Sequence, residues 1–538
     1  MVFTPQFFYD GTEKTWRGEE MKNYFDPHLS IGEIIFNEMR RHPKQIAQIS
    51  VTEKTVLTTK ELLENSMRVA SYMRSLGLRQ SDVVGIMARN TTHIFSVAYA
   101  CFFNGIAFHG INTMYDRKTI ANLYNITKPR LIFCDGDDFE KIREATVNLD
   151  VKIVTMRKHP LGSIRIDDVL ATPIENNFQP ARLEHGNDQN LVIFCSSGTT
   201  GTPKALTISN SRKIISVNHH LTTADVQYTS NNLDWISGIL TTITSGVFST
   251  TRIVADNAFD PVLALKIIEK YKVTWVIQAP FALAMMGNCP EFETADLTSL
   301  RCYFYGGSRI SVDVENRIRS RLSRDCLHFI YGFMEMGSVV TANFNFDQKP
   351  NSVGRLLNGI KLKIIGDEGD SLGPEEVGEI LINCNQHWSG YYGNPEATLK
   401  MQDPQGWYHT ADLGYMDKDG FLYIVDRKND MLKYRSILYY PSEVEAVIAE
   451  MPGVSDVCVF GVYDQIDGDK AAANVVRKWD SKIKAQDVVD YVRERTDSQY
   501  KLLNGGVLIV DDLMRSANGK PNRKANKVHY LKVKGIVE

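Results

Sequence analysis

No long hydrophobic run crosses this chain. The greasiest stretch, Ile94 to Ile111, is interrupted by Asn104, Gly105 and His109. It predicts a buried helix and strand rather than a membrane span, which needs about 20 apolar residues in a row. The start, Met1-Val2-Phe3-Thr4-Pro5, lacks a basic segment leading into an apolar core, so no secretory leader is expected. Charge of one sign is also lacking: 61 lysines and arginines stand against 64 aspartates and glutamates. Neither nucleic acid nor an anionic membrane is therefore expected as main partner. Basic residues gather only near the end (Lys520, Arg523, Lys524, Lys527, Lys532, Lys534), where a solvated final helix accounts for most of them. The 8 cysteines show no metal-ligand spacing and fit a reducing intracellular compartment. The ending Gly-Ile-Val-Glu is not a peroxisomal address of the Ser-Lys-Leu kind, which favours the cytoplasm and leaves the peroxisome open.

At 538 residues the chain exceeds one core, and two or more domains are expected. From Leu62 to about Val254, helical patterns alternate with short Val/Ile-rich runs. Ser66 to Leu76 reads as an amphipathic helix, and Val83 to Met87 and Arg130 to Cys134 as strands. The alternation resumes from Pro261 to Tyr331, with a helix near Leu263 to Tyr271 and strands near Thr274 to Gln278 and Arg301 to Tyr305. This rhythm predicts an α/β fold of helix-covered sheets. Between about Val340 and Tyr423 short strands and Gly/Pro turns dominate, which predicts a small barrel-like piece.

One stretch stands out chemically: Ser196-Ser197-Gly198-Thr199-Thr200-Gly201-Thr202-Pro203-Lys204. It lies between strand-like runs, Leu191 to Cys195 and Ala205 to Ile208. Such a loop can turn backbone N–H groups and hydroxyls onto a phosphate chain, and Lys204 adds a point charge. It is not the common phosphate loop, which needs Gly-Lys-Ser/Thr opening a helix. Two rival motifs fail. Gly369-Asp370-Ser371-Leu372-Gly373 runs into Pro374, so no helix follows its serine. His219-His220 lacks zinc-ligand spacing and reads as structural.

The loop resembles the signature of the adenylate-forming superfamily, which includes acyl-CoA synthetases, peptide-synthetase adenylation domains and beetle luciferases. Further segments follow in that family's order, and the likeness runs from Leu62 to Lys520. Gly306-Gly307-Ser308 is similar to the segment that flanks adenine. Tyr331-Gly332-Phe333-Met334-Glu335 resembles Tyr-Gly-x-Thr-Glu, implying that Tyr331 stacks on adenine and Glu335 holds Mg²⁺. Met334 replaces a threonine, and a thioether cannot donate a hydrogen bond to the α-phosphate. Thr410-Ala411-Asp412 resembles Thr-Gly-Asp, with Asp412 aimed at the ribose and then Arg427 at the ribose or phosphate. Lys520 is implied as the catalytic lysine of the first half-reaction. Lys433-Tyr434-Arg435-Ser436 resembles Lys-Tyr-Lys-Gly, a face that serves the second half-reaction; Arg435 and Ser436 would flank the coenzyme A passage.

In the acyl pocket, Trp235 reads equally as wall and as core, and Met336, Gly337 and Ser338 would line the rest. The pocket is expected to be apolar, suited to a fatty or aryl acid. The resemblance also implies a swivel at Asn429 or Asp430, between an adenylation domain (1–426) and a mobile α+β domain (427–538) that carries the lysine. The closest branch looks like the insect luciferase-like and coumarate-ligase-like acyl-CoA synthetases. That implies ATP, Mg²⁺ and coenzyme A, an acyl-AMP intermediate, and a monomer or homodimer without a membrane span. Three alternatives remain open: luciferase-like oxidation with weak light emission, transfer to a carrier protein, and a weakened nucleotide- or fatty-acid-binding pseudoenzyme.

Overall fold

The computed structural model describes all residues except 1–4, 22–24, 27, 197–203, 211–220, 257, 308–309, 311, 324, 428–429, 431, 435–436, 465–466, 497, 517–518 and 537–538. The expected Val83–Met87 strand is present and buried along its whole length. Continuous burial is what a central parallel strand demands, since helices cover both faces. It lies in a sheet ordered Lys204–Ser209, Asn190–Ser196, Ala107–Gly110, Val83–Met87, Leu131–Cys134, Lys152–Thr155, Ile164–Arg165. All neighbours run parallel except the first pair, an antiparallel hairpin. The greasy stretch resolves into the buried helix Ile94–Asn104 and the strand Ala107–Gly110. The helix Thr59–Ser75 begins at a capping box, Thr58 with Glu61, which satisfies two orphan backbone donors.

Among the described residues a second sheet holds nine strands, with Trp275–Gln278, Cys302–Gly306 and Leu327–Tyr331 side by side and parallel. The 340–423 region supplies Lys361–Ile365, Gly378–Asn383 and Tyr408–Met416 to an antiparallel six-stranded sheet. A hairpin from the start of the chain, Phe7–Asp10 with Thr15–Gly18, completes it. One large core joins these three sheets.

A smaller C-terminal domain follows. The long hairpin Val454–Asp464 with Gly468–Arg477 takes Gly506–Val510 as a parallel neighbour. Helices Pro441–Ala449 and Arg523–Lys534 pack against Val454–Asp464. A core of its own, including Tyr439, Ile448, Val459, Val475 and Val492, holds it together. No helix among the described residues is long and apolar enough to cross a membrane.

Candidate active site

The Gly/Ser/Thr loop joins the two strands of the antiparallel hairpin, in which Cys195 faces Ala205 and Ser196 faces Lys204. Ser197, Gly198, Thr199, Thr200 and Gly201 lie outside the described residues, as do His219 and His220, and only the backbone of Ser196 is described. What the structure does give is the anchoring of the returning strand. The Trp388 indole N–H donates to the Thr207 carbonyl at 2.9 Å, and the Thr207 hydroxyl donates to the Gly390 carbonyl at 2.6 Å. The Tyr392 N–H donates to Ala205 at 2.7 Å. These bonds place Tyr391 beneath the first residue of the strand, with the Lys204 ammonium 5.0 Å from its ring centre. The Tyr391 hydroxyl in turn donates to Glu335 at 2.6 Å. Burial, with the Glu335 carboxylate beside it, pushes the Tyr391 hydroxyl pKa well up. Lys204 and Glu335, far apart in sequence, thus share one aromatic bridge.

Tyr391 and Trp388 escaped the sequence reading. Their signal was the aromatic cluster Trp388-Ser389-Gly390-Tyr391-Tyr392, which looks like core because it is partly core: Trp388 also packs against Tyr408, and Tyr408 against Phe333.

Two of the expected adenosine residues, Tyr331 and Asp412, come together. The Tyr331 hydroxyl donates to Asp412 Oδ2 at 2.6 Å. Asp412 is buried, its N–H donates to the Thr410 hydroxyl at 3.1 Å, and that hydroxyl donates to the Ile380 carbonyl at 2.7 Å. Asp412 and Arg427 are register partners across adjacent antiparallel strands; the Arg427 side chain lies outside the described residues. Gly332 is exposed beside Tyr331, and a Cβ on it would come within 2.9 Å of the Ser338 carbonyl. Ser308 lies outside the described residues, whereas Gly307, at φ +107°, is described.

Gly307 is also where the far end of the chain arrives. A Cβ on it would lie 3.0 Å from Lys520 Cε and 3.5 Å from Lys520 Nζ. The lysine is presented by a tight turn in which the Ser516 N–H donates to the Lys520 carbonyl at 2.8 Å and the Gly519 N–H donates to Ser516 at 2.9 Å. Gly519 has φ +69°, and a Cβ there would meet the Phe281 ring at 2.5 Å. Only glycine fits this close approach, which seats the turn on the large domain.

Lys433 is exposed on the strand Leu432–Tyr434, and its N–H donates to Asp469 at 2.9 Å. Arg435 and Ser436 lie outside the described residues. Met336, Gly337 and Ser338 are buried, and a Cβ on Gly337 would sit 2.9 Å from Ile208 on the anchored strand. Trp235 is half-buried at the start of helix Ile236–Val247, on a different element from Met336, Gly337 and Ser338. Asp234 stands beside Trp235 and receives the Asn112 amide at 2.7 Å. Burial pushes its carboxyl pKa up to about 6.

No cluster of three or more potential metal ligands occurs among the described residues. A lone carboxylate such as Glu335 suits Mg²⁺, which commonly takes one or two carboxylates and completes its shell with phosphate and water oxygens.

Known proteins resemble this chain over nearly its whole length. The family model for AMP-binding enzymes matches residues 35–392, and that for the AMP-binding enzyme C-terminal domain matches 443–520. A luciferin 4-monooxygenase of Photuris pensylvanica is 27% identical over 94% of this chain and 96% of its own. A 4-coumarate–CoA ligase of Nicotiana tabacum is 26% identical over 93% and 94%. The solved structure of an anthranilate CoA ligase with anthranoyl-AMP shares the fold, at TM-score 0.85 and 20% identity, covering 95% of this chain and 99% of its own.

Proposed function

The chain belongs to the AMP-binding enzyme family and is adenylate-forming, and from that premise we propose that it is an acid–thiol ligase. It joins a hydrophobic carboxylic acid to AMP at the expense of ATP, releasing pyrophosphate, and then passes the acyl group to coenzyme A. The observation that carries this reading is the meeting of Lys520 with Gly307. A carboxylate attacking an α-phosphate brings two anions together. An ammonium held against the adenine-flanking segment offsets that repulsion in the transition state. Lys204, over Tyr391, supplies charge for the outer phosphates, and Asp412, gripped by Tyr331, accepts from the ribose hydroxyls. Mg²⁺, when bound at Glu335, neutralises phosphate charge. Tyr391 holds Glu335 in place for it.

For the second half-reaction, the C-terminal domain turns to withdraw Lys520 and bring the exposed Lys433 face, with Arg435 and Ser436, towards the thiol's path. Two features support a pivot near Asp430. The strand Leu422–Arg427 ends the six-stranded sheet, and Leu432–Tyr434 already belongs to the smaller domain's own sheet and core. Kinship with 4-coumarate–CoA ligases supports the thiol acceptor. The test is acid-dependent exchange of labelled pyrophosphate into ATP, followed by CoA-dependent release of AMP and a thioester. Fatty and aryl acids that never yield AMP would overturn the reading. Photon counting with luciferin separates it from light emission.

A further inference from the structure

We propose that Phe281, in the large domain, is the seat on which the lysine-bearing turn docks, and that its ring sets how readily the chain carries out the first half-reaction rather than the second. This rests on the adenylation reading above. Phe281 is a positioning residue that acts through Lys520. Its placement follows from the sheet. Trp275–Gln278 and Cys302–Gly306 are adjacent parallel strands, with Gln278 beside Tyr305. Neighbouring strands lie about 4.8 Å apart, so the residues that follow their carboxyl ends emerge side by side. Phe281 follows the first, at the start of helix Pro280–Asn288, and Gly307 follows the second. One turn of the small domain reaches both. A Cβ on Gly307 would lie 3.0 Å from Lys520 Cε, and a Cβ on Gly519 would lie 2.5 Å from Phe281 Cδ1 and 2.8 Å from its Cε1. The half-buried Phe281 ring meets Phe259 edge-on, with ring centres 6.1 Å apart.

The turn is braced well enough to carry that contact to the lysine. The Arg515 guanidinium donates to the Gly519 carbonyl at 3.1 Å and pairs with Asp456 at 2.5 Å. Arg515 and Pro521 bridge the turn's two sides. Buried Asn526 accepts from the Met514 N–H at 3.1 Å and donates to the Met514 carbonyl at 2.7 Å, which ties the base of the turn to helix Arg523–Lys534. Moving Gly519 off the ring therefore moves Lys520 off Gly307. When the small domain turns for the thiol step, the two residues leave together, so the ring contact exists only in the adenylating arrangement. A contact made in one of two arrangements shifts the balance towards that one. Its loss slows adenylation while every charged group stays in the chain, and leaves the thiol step unchanged or faster.

The experiment compares the full-length wild type, Phe281→Ala, Gly519→Ala and the double variant, with one acid that the wild type adenylates. Pyrophosphate exchange reads the first step, and CoA-dependent release of AMP from supplied acyl-AMP reads the second. Partial burial of one aromatic ring predicts a loss of exchange of about 3- to 30-fold in Phe281→Ala, with the second step retained. Gly519→Ala, whose methyl strikes the ring, is expected to lose about 10- to 100-fold. Removing the ring makes room for that methyl, so the double variant should lose no more than Gly519→Ala alone. Equal losses in both steps, full exchange in Phe281→Ala, or losses that multiply in the double variant would each overturn the proposal and leave adenylation standing. A wild type that exchanges pyrophosphate with no acid would sink adenylation and this proposal with it. Should Phe281→Ala not fold, Phe281→Leu, which keeps an apolar side chain on the helix, decides by the same comparison of the two steps.

Discussion

The two sides of this site are made differently. On the nucleotide side, groups meet through close backbone approaches and short polar bonds: Lys520 against Gly307, Tyr331 on Asp412, Tyr391 on Glu335. On the side expected to take the acyl group, the residues come from separate elements, with Trp235 at one helix start and Met336 to Ser338 on a turn against Ile208. The first arrangement serves a reactant that never changes, and the second one that does. Damage to the nucleotide side should slow every acid alike, and damage to the acyl side should reorder them.

The sharpest way to break that division is Lys520→Ala. Removing one preorganised charge partner costs about 100- to 1,000-fold in rate. Pyrophosphate exchange should fall by that factor for every acid, whereas thioester formation from supplied acyl-AMP should change little. A variant that kept the parent's exchange rate, or that altered the ranking of acids, would show that the lysine does not act on the common phosphate.

Tyr391→Phe is the next test. It removes the bond to Glu335 and keeps the ring beneath Lys204. A hydrogen bond to a charged group contributes about 1.5–3 kcal/mol, so exchange should drop by about 10- to 100-fold, with a raised Mg²⁺ requirement. An unchanged Mg²⁺ titration would disconnect Tyr391 from the metal.

These residues were unequally legible in sequence. The strands of the parallel sheets announced themselves because burial on both faces forces continuous runs, as in Val83–Met87. The motif residues Tyr331, Asp412 and Lys520 were legible because their type and spacing are tied to one invariant ligand, and the structure puts Tyr331 on Asp412 and Lys520 on Gly307. Tyr391 was not, since an aromatic between glycines and tyrosines has the same appearance whether it packs or positions. Asp234 was read past for a different reason. The preceding residues, Asn231 to Leu233, and the tryptophan after it suggest a turn and a core, and only three-dimensional placement shows a buried carboxyl that accepts from the Asn112 amide. The N-terminal hairpin completing the six-stranded sheet was also invisible, because its partner strand Lys361–Ile365 lies hundreds of residues away.

Acid pH bears on Asp234. Asp234 titrates near 6 in the folded protein and near 3.9 when unfolded. Between those values the native state binds the extra proton, so stability conferred by the neutral carboxyl is full below about pH 4 and is lost as pH rises through 6. The difference amounts to about 3 kcal/mol at most. Thermal unfolding of Asp234→Asn should lack this slope, and its melting temperature should gain on the parent as pH rises from 4 to 7. Parallel curves for the two proteins would mean that the carboxylate is well solvated.

The smallest effect belongs to Ala411, on the nucleotide side. It adopts φ +56°, a left-handed conformation that costs a residue with a Cβ about 1–2 kcal/mol. The strand cannot avoid it. Pairing with Gly378–Asn383 shifts register between Glu379 and Leu381, and the irregularity brings buried Asp412 onto the Tyr331 hydroxyl. Ala411→Gly relieves the strain but gives the unfolded chain more freedom, so the net gain should be about 0.5–1 kcal/mol. It should appear as a modestly raised denaturation midpoint. Because the turn's shape is kept, the order of preference among acids should not move. A loss of stability would mean that the alanine methyl packs against something that outweighs its backbone strain, and a changed order among acids would show that the two sides of the site communicate through this strand.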